Sequence, residues 1–143
     1  MALFSHIMCC TDLSERSLTA FKAAVELART HGARLSLLHV VVPHTTLLPG
    51  LPRPGHEMDD QEIVELLEDH LRREYLSLAP ELDCRIWLRR GHPSVEILNQ
   101  LEESDVDLVV LGSEGLSGMG LVILGSVAER VLRRAKVSCL VYR

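Results

Sequence analysis

The stretch Leu108-Val109-Val110-Leu111-Gly112-Ser113-Glu114-Gly115, answered ten residues later by Gly125-Ser126-Val127-Ala128-Glu129-Arg130-Val131-Leu132, decides the architecture of this chain. Four aliphatic residues in a row suit a strand buried on both faces, and the glycines that follow end it in a loop. The second part carries a helix from Ser126 to Ala135, after which Val137 to Tyr142 forms another apolar strand. A buried strand, a glycine-rich loop, a helix and a second buried strand form one unit of a parallel α/β sheet.

The same alternation extends toward the amino terminus. Ile7 to Cys10 is a short apolar run ended by Thr11 and Asp12. Ser14 can cap a helix whose apolar positions Leu18, Phe21, Val25 and Ala28 recur at helical spacing until His31-Gly32 stops it. Arg34 to Val41 is a second buried strand. Asp59 to Leu78 restores the helical period through Ile63, Leu66, Leu67, His70, Leu71 and Tyr75, which puts His70 on an apolar stripe as a packed core histidine. Leu82, Cys84, Ile86 and Leu88 alternate with Asp83, Arg85, Trp87 and Arg89, the pattern of a strand at the sheet edge. Gly91 to Pro93 turns the chain into a helix through Ile97, Leu98 and Leu101 to Ser104. The expected fold is a single doubly wound α/β domain over residues 1–143, a five-stranded, mainly parallel sheet with helices on both faces.

Composition agrees. The 143 residues are 47% apolar but only 3% aromatic, so aliphatic side chains must fill the core. A net charge of -5 excludes tight nucleic-acid binding, which needs a concentrated basic surface; Arg89, Arg90, Arg133, Arg134 and Lys136 read as a solvated face. Cys9, Cys10, Cys84 and Cys139 show no CxxC spacing, two of them adjacent in an apolar run, as suits buried reduced thiols and a cytoplasmic setting. Ser5 and His6 interrupt any signal-peptide run. Glu114 and the surrounding glycines disqualify Leu108 to Gly125 as a membrane helix. Pro43 to Met58, with four prolines and two glycines, reads as a loop or lid.

Ligands of such sheets bind beyond the carboxyl ends of the strands, where the chain order reverses. Two loops leave strands there, Thr11-Asp12-Leu13-Ser14 and the segment from Leu111-Gly112-Ser113-Glu114-Gly115 to Gly125-Ser126. Glycine after a strand lets a ligand approach the backbone, Gly115 can take positive φ, and the amides of Ser126 and Val127 at a helix start favour an anion. The same residues equally fit a capping box, Ser126 with Glu129, in which the glycines only turn the chain. Asp12, in the first of these loops, also fits a plain loop or helix-start cap. The lysine of a P-loop is absent, Met119 spoils a G-x-S-x-G elbow at Ser117, and His39, His44, His56 and His92 lack metal-ligand spacing. No catalytic or metal-binding set emerges.

Gly112-x-x-Gly115, nine residues, then Gly125-Ser126 resembles the adenine-nucleotide motif of the universal stress protein family. Val127 to Leu132, Thr11 to Glu15, Leu38-His39-Val40, Gly91-His92-Pro93 and the last strand extend the likeness over the whole chain. The resemblance implies the adenine nucleotide alpha hydrolase-like fold, binding of ATP with or without Mg2+, a sensor or adaptor role toward a protein partner, no enzymatic function, and a homodimer through Val137 to Tyr142. It implies that Asp12 and Val40 hold the adenine and ribose, and that Gly112, Ser113, Gly115, Gly125, Ser126 and Val127 line the ribose and phosphates, with Thr11 and Leu111 at the strand ends. Three positions depart from the family's pattern: Glu114 for histidine, Leu116 for a basic residue and Cys10 for proline. A carboxylate about 6 Å from a phosphate charge costs ~0.7 kcal/mol in a water-like dielectric and ~3 kcal/mol at an effective value of 20. The alternative is therefore a family dimer that binds no ATP and serves as a scaffold.

Overall fold

A computed structural model describes residues 2–43, 59–113 and 124–143. The proposed lid, Pro43 apart as far as residue 58, and Glu114, Gly115 and Leu116 lie outside the described residues. The elements follow one another as β1 (His6–Thr11), α1 (Glu15–His31), β2 (Arg34–Val41), α2 (Asp60–Glu74), a short 3-10 turn (Leu76–Leu78), β3 (Cys84–Arg90), α3 (Pro93–Glu102), β4 (Leu108–Gly112), α4 (Ser126–Arg134) and β5 (Ser138–Tyr142).

Helix boundaries have local causes. Ser14 caps α1 by accepting from the Ser17 amide, and Gly32 ends the helix at φ 62°, a conformation that costs glycine nothing. Asp59 and Glu62 close a reciprocal capping box at the start of α2. Pro93 starts α3 where a missing N–H does no harm.

The five strands lie in the order β3-β2-β1-β4-β5, and every neighbouring pair is parallel, so the sheet is fully rather than mainly parallel. β3 is an edge strand, as its alternation predicts. Adjacent residues of the central strands face opposite layers. Ile7, Cys9, Leu35, Leu37, Leu108 and Val110 pack with α1 and the end of α2. Met8, Cys10, Leu38, Val40, Val109 and Leu111 pack with α3 and α4. Cys9 and Cys10 thus divide between two cores, which explains two adjacent thiols without a disulfide.

Two expectations need correction. His70 is only half-buried on α2, because Leu67 and Leu71 take the deepest positions. The basic residues do not form one solvated face, because the strands and helices that carry them lie apart. Arg89 is half-buried and bridges Glu96, Gln100 and Glu103 of α3, whereas Arg133 pairs with Glu129 on α4.

Candidate functional site

The chain runs from β1 to β2 on one side and returns to β4 on the other side of β1, so the order reverses between β1 and β4. Ligands of such sheets bind at this reversal, beyond the carboxyl ends of the two strands. At the end of β1, Leu13 sits at φ 70°, a region that costs a non-glycine residue about 1 kcal/mol. What it makes possible is a tight polar turn. The Leu13 amide donates to Thr11 Oγ1 at 3.0 Å, and the Ser14 amide donates to Asp12 Oδ1 at 3.0 Å. Ser17, from the first turn of α1, donates its hydroxyl to the same Oδ1 at 3.0 Å. No described residue donates to Asp12 Oδ2. Among the described residues the carboxylate is therefore held by one oxygen alone, and the cap and ligand readings of Asp12 are compatible.

On the β4 side, Gly112 lies against the first turn of α1, where a Cβ would meet the Arg16 backbone at 3.4 Å. The Ser113 amide donates to the Tyr142 carbonyl, and the Ser113 carbonyl accepts from the Gly125 amide at 2.6 Å, which brings the start of α4 to the end of β4. Of the two readings of Ser126, the capping box is not formed. Gly125 is the N-cap, with no side-chain hydrogen bond, and Ser126 is already inside the helix. The Ser126 and Glu129 capping box is absent because Ser126 is not at the cap position, and Glu129 pairs with Arg133. The first-turn amides of α4 have no intrahelical partners by geometry, and their dipole favours an anion.

Thr11 pairs with His39 in the sheet, which sets Val40 level with Asp12. Thr11, Val40, Leu111 and Ser113 are buried, Asp12, Gly112, Gly125 and Val127 are half-buried, and Ser126 is exposed. The fold brings Thr11, Asp12, Val40, Leu111, Gly112, Ser113, Gly125, Ser126 and Val127 to one edge; Gly115 lies outside the described residues. Three further residues belong here that sequence reasoning did not assign to the site. Ser17 holds Asp12. Tyr75 is 3% exposed, and its hydroxyl meets Thr11 Oγ1 at 2.6 Å. His39 donates Nδ1–H to the Thr11 carbonyl at 2.8 Å, while its Nε2 is buried without a partner. Burial pushes the His39 pKa down, against the opposing pull of that hydrogen bond and of Asp12, so the ring is neutral at neutral pH. In the sequence Tyr75 and Ser17 look like ordinary helix residues; the one available signal is that a buried tyrosine hydroxyl requires a partner.

A second polar cluster lies at the opposite end of β1. His6 Nε2 is 2.8 Å from Ser36 Oγ, and its Nδ1 is 2.7 Å from Asp105 Oδ1, the outline of a serine-histidine-aspartate triad. Ser36 is 0% exposed and sits at the amino edge, so no substrate reaches its hydroxyl. The cluster is structural. Cysteine chemistry is also excluded where burial holds the thiols protonated: Cys9 and Cys10 are raised well above the ordinary value and Cys84 is pushed up to about 12. No cluster of three metal-ligating side chains occurs among the described residues, and no helix among them is long and apolar enough to cross a membrane.

Comparison with known proteins places these features. The profile of the Universal stress protein family matches residues 3–143. Universal stress protein YxiE of Bacillus subtilis is 32% identical, the match covering 99% of this chain and all of that protein. Among solved structures, universal stress protein UspA from Lactobacillus plantarum superposes with a TM-score of 0.78 at 25% identity, each chain covered in full. A universal stress protein in complex with cAMP superposes with a TM-score of 0.68 at 25% identity over 98% of this chain and 97% of that one.

Proposed function

This chain belongs to the universal stress protein family, and from that premise we propose that it binds ATP, with or without Mg2+, beyond the carboxyl ends of β1 and β4 and serves as a nucleotide-dependent stress-response sensor or adaptor. One observation supports the reading: at the carboxyl edge of the sheet, Asp12 is held through Oδ1, with no donor to Oδ2 among the described residues, and α4 starts at Gly125 without a side-chain cap. The first suits ribose hydroxyls or an adenine amino group, and the second suits phosphate. The relative solved with cAMP supports adenine as the base. In this reading Asp12 serves the nucleoside end, away from the phosphates, so hydrolysis is slow or absent and the output is the surface offered to a protein partner. Buried, protonated thiols at Cys9 and Cys10 fit a cytoplasmic setting.

The same reading makes the protein a homodimer. β5 is an edge strand; its Leu140 and Val141 are half-buried and Tyr142 is exposed, and such an edge needs cover. A second copy of β5 supplies it about a two-fold axis. Sedimentation at micromolar concentration should give the dimer mass.

Thermal unfolding with and without Mg-ATP tests the nucleotide. A ligand at 100 times its dissociation constant adds about 2.7 kcal/mol of stability. An unchanged transition at millimolar ATP removes nucleotide binding and leaves the scaffold reading.

A further inference from the structure

We propose that Tyr75 is a positioning residue for the nucleotide, acting on Asp12 through a buried chain of hydroxyls. This rests on the nucleotide reading above and adds to it a connection from the end of α2 to the ligand.

The chain is short and directional. Tyr75 OH is 2.6 Å from Thr11 Oγ1, Thr11 Oγ1 is 2.9 Å from Ser17 Oγ, and Ser17 Oγ is 3.0 Å from Asp12 Oδ1. With Tyr75 donating to Thr11 and Thr11 to Ser17, the Ser17 proton lies between Asp12 Oδ1 at 3.0 Å and the Ser14 carbonyl at 2.9 Å. Thr11 Oγ1 also accepts the Leu13 amide, so its acceptor positions are filled and its own proton is committed to Ser17. A run that ends on an anion polarises each donor toward the next.

The residues are well placed to hold this geometry. Thr11, Ser17 and Tyr75 are all buried, and the Tyr75 ring packs edge-on against Phe21 of α1 at 5.3 Å, so the phenol is held by apolar contact as well as by its hydroxyl. The three side chains come from three elements, β1, α1 and the residue that ends α2. Asp12 Oδ1 receives both the Ser17 hydroxyl and the Ser14 amide, which fixes the carboxyl plane and leaves Oδ2 as the oxygen for ligand. Removing the Tyr75 hydroxyl frees Thr11 to redirect its proton, weakens the donation from Ser17 and lets the carboxyl group rotate, with no atom lost from Asp12 itself.

Tyr75→Phe tests this, since it keeps the ring and its packing. Titration calorimetry, below the melting transition of both proteins, should show ATP bound roughly fivefold more weakly, the worth of one net hydrogen bond, with inorganic tripolyphosphate affinity unchanged. In an Asp12→Ala background the same substitution should change ATP affinity no further. Equal weakening of both ligands, an effect that persists without Asp12, or no effect at all overturns the proposal. Its fate is separable from that of the nucleotide reading. The Asp12 carboxyl carbon resonance of the ligand-free protein should move on Tyr75→Phe, and an unmoved resonance overturns the chain whether or not ATP binds.

Discussion

Two polar clusters stand at the two ends of β1, and they are built to opposite rules. At the amino end, His6 uses both ring nitrogens on Ser36 and Asp105, the other Asp105 oxygen binds Arg34, and Trp87 covers the imidazole edge-on at 5.5 Å. Asp107 closes the corner by accepting the Ser5 and His6 amides. At the carboxyl end, Thr11, Ser17 and Tyr75 are equally buried, yet among the described residues His39 Nε2 is buried without a partner and the half-buried Asp12 receives no donor at Oδ2. A buried polar group without a partner costs roughly 1–3 kcal/mol, so the amino end adds stability while the carboxyl end gives some up. The difference teaches where ligand belongs in a parallel sheet: the loops diverge at the carboxyl edge, and open valences are tolerated only where something can fill them.

The comparison can be broken by substitution. The largest expected effect on stability is His6→Ala, which strands the buried Ser36 and opens a space beside Trp87. It should cost about 3 kcal/mol in chemical denaturation while leaving ATP affinity unchanged. Asp12→Ala should do the reverse. Loss of a charge-assisted contact should weaken ATP roughly ten- to hundredfold by calorimetry, with only about 1 kcal/mol lost from the fold. If either substitution moved both quantities together, the two ends would not be independent.

Acid sharpens the contrast, because each end has its own window. Burial lowers the His39 pKa below its ordinary 6.5, so the unfolded chain takes up the proton first. Stability from the neutral ring is full above 6.5 and is lost as the pH falls through the folded value. Arg34 first and His6 second hold the Asp105 carboxyl down from 3.8 to about 2, so its contribution is present above 3.8 and lost as the pH falls toward 2. Urea midpoints measured across pH should therefore fall in two steps. His39→Gln should remove the upper step and Asp105→Asn the lower.

The smallest effects concern the helix starts. Ser14→Ala should cost about 1 kcal/mol, because its hydroxyl caps α1. Ser126→Ala should stay within about 0.5 kcal/mol, because Gly125 holds the cap position of α4. Differential scanning calorimetry on the pair decides whether the α4 terminus is left open as described.

Much of this was legible before any coordinates. Arg34 to Val41 reads as a strand with its correct ends because every residue after Arg34 until the last is buried, and burial on two faces leaves an apolar run interrupted only at Ser36 and His39. The α1 boundaries are equally plain, since Ser14 and Gly32 act on residues next to them in the chain. The place of Asp12, Gly112 and Gly125 at the carboxyl edge was legible because strand ends and glycines mark it. Ser126 shows the limit. Its pattern with Glu129 fits a capping box, but the Ser113 carbonyl draws in the Gly125 amide and makes Gly125 the cap.

Period and local chemistry were therefore determined by the sequence alone: which segments are strands, which faces of the helices are apolar, and which residues start and stop α1. Tertiary structure alone decided the placing of β1 between β2 and β4, the meeting of Tyr75, Thr11 and Ser17 at Asp12, and the burial of a serine-histidine-aspartate set at the edge where no ligand enters. The physical reason is range. Caps and periodicities act over a few residues, whereas Tyr75 lies 64 positions from the threonine it binds, and only the packing of α1 and α2 on one face of the sheet brings the two hydroxyls together.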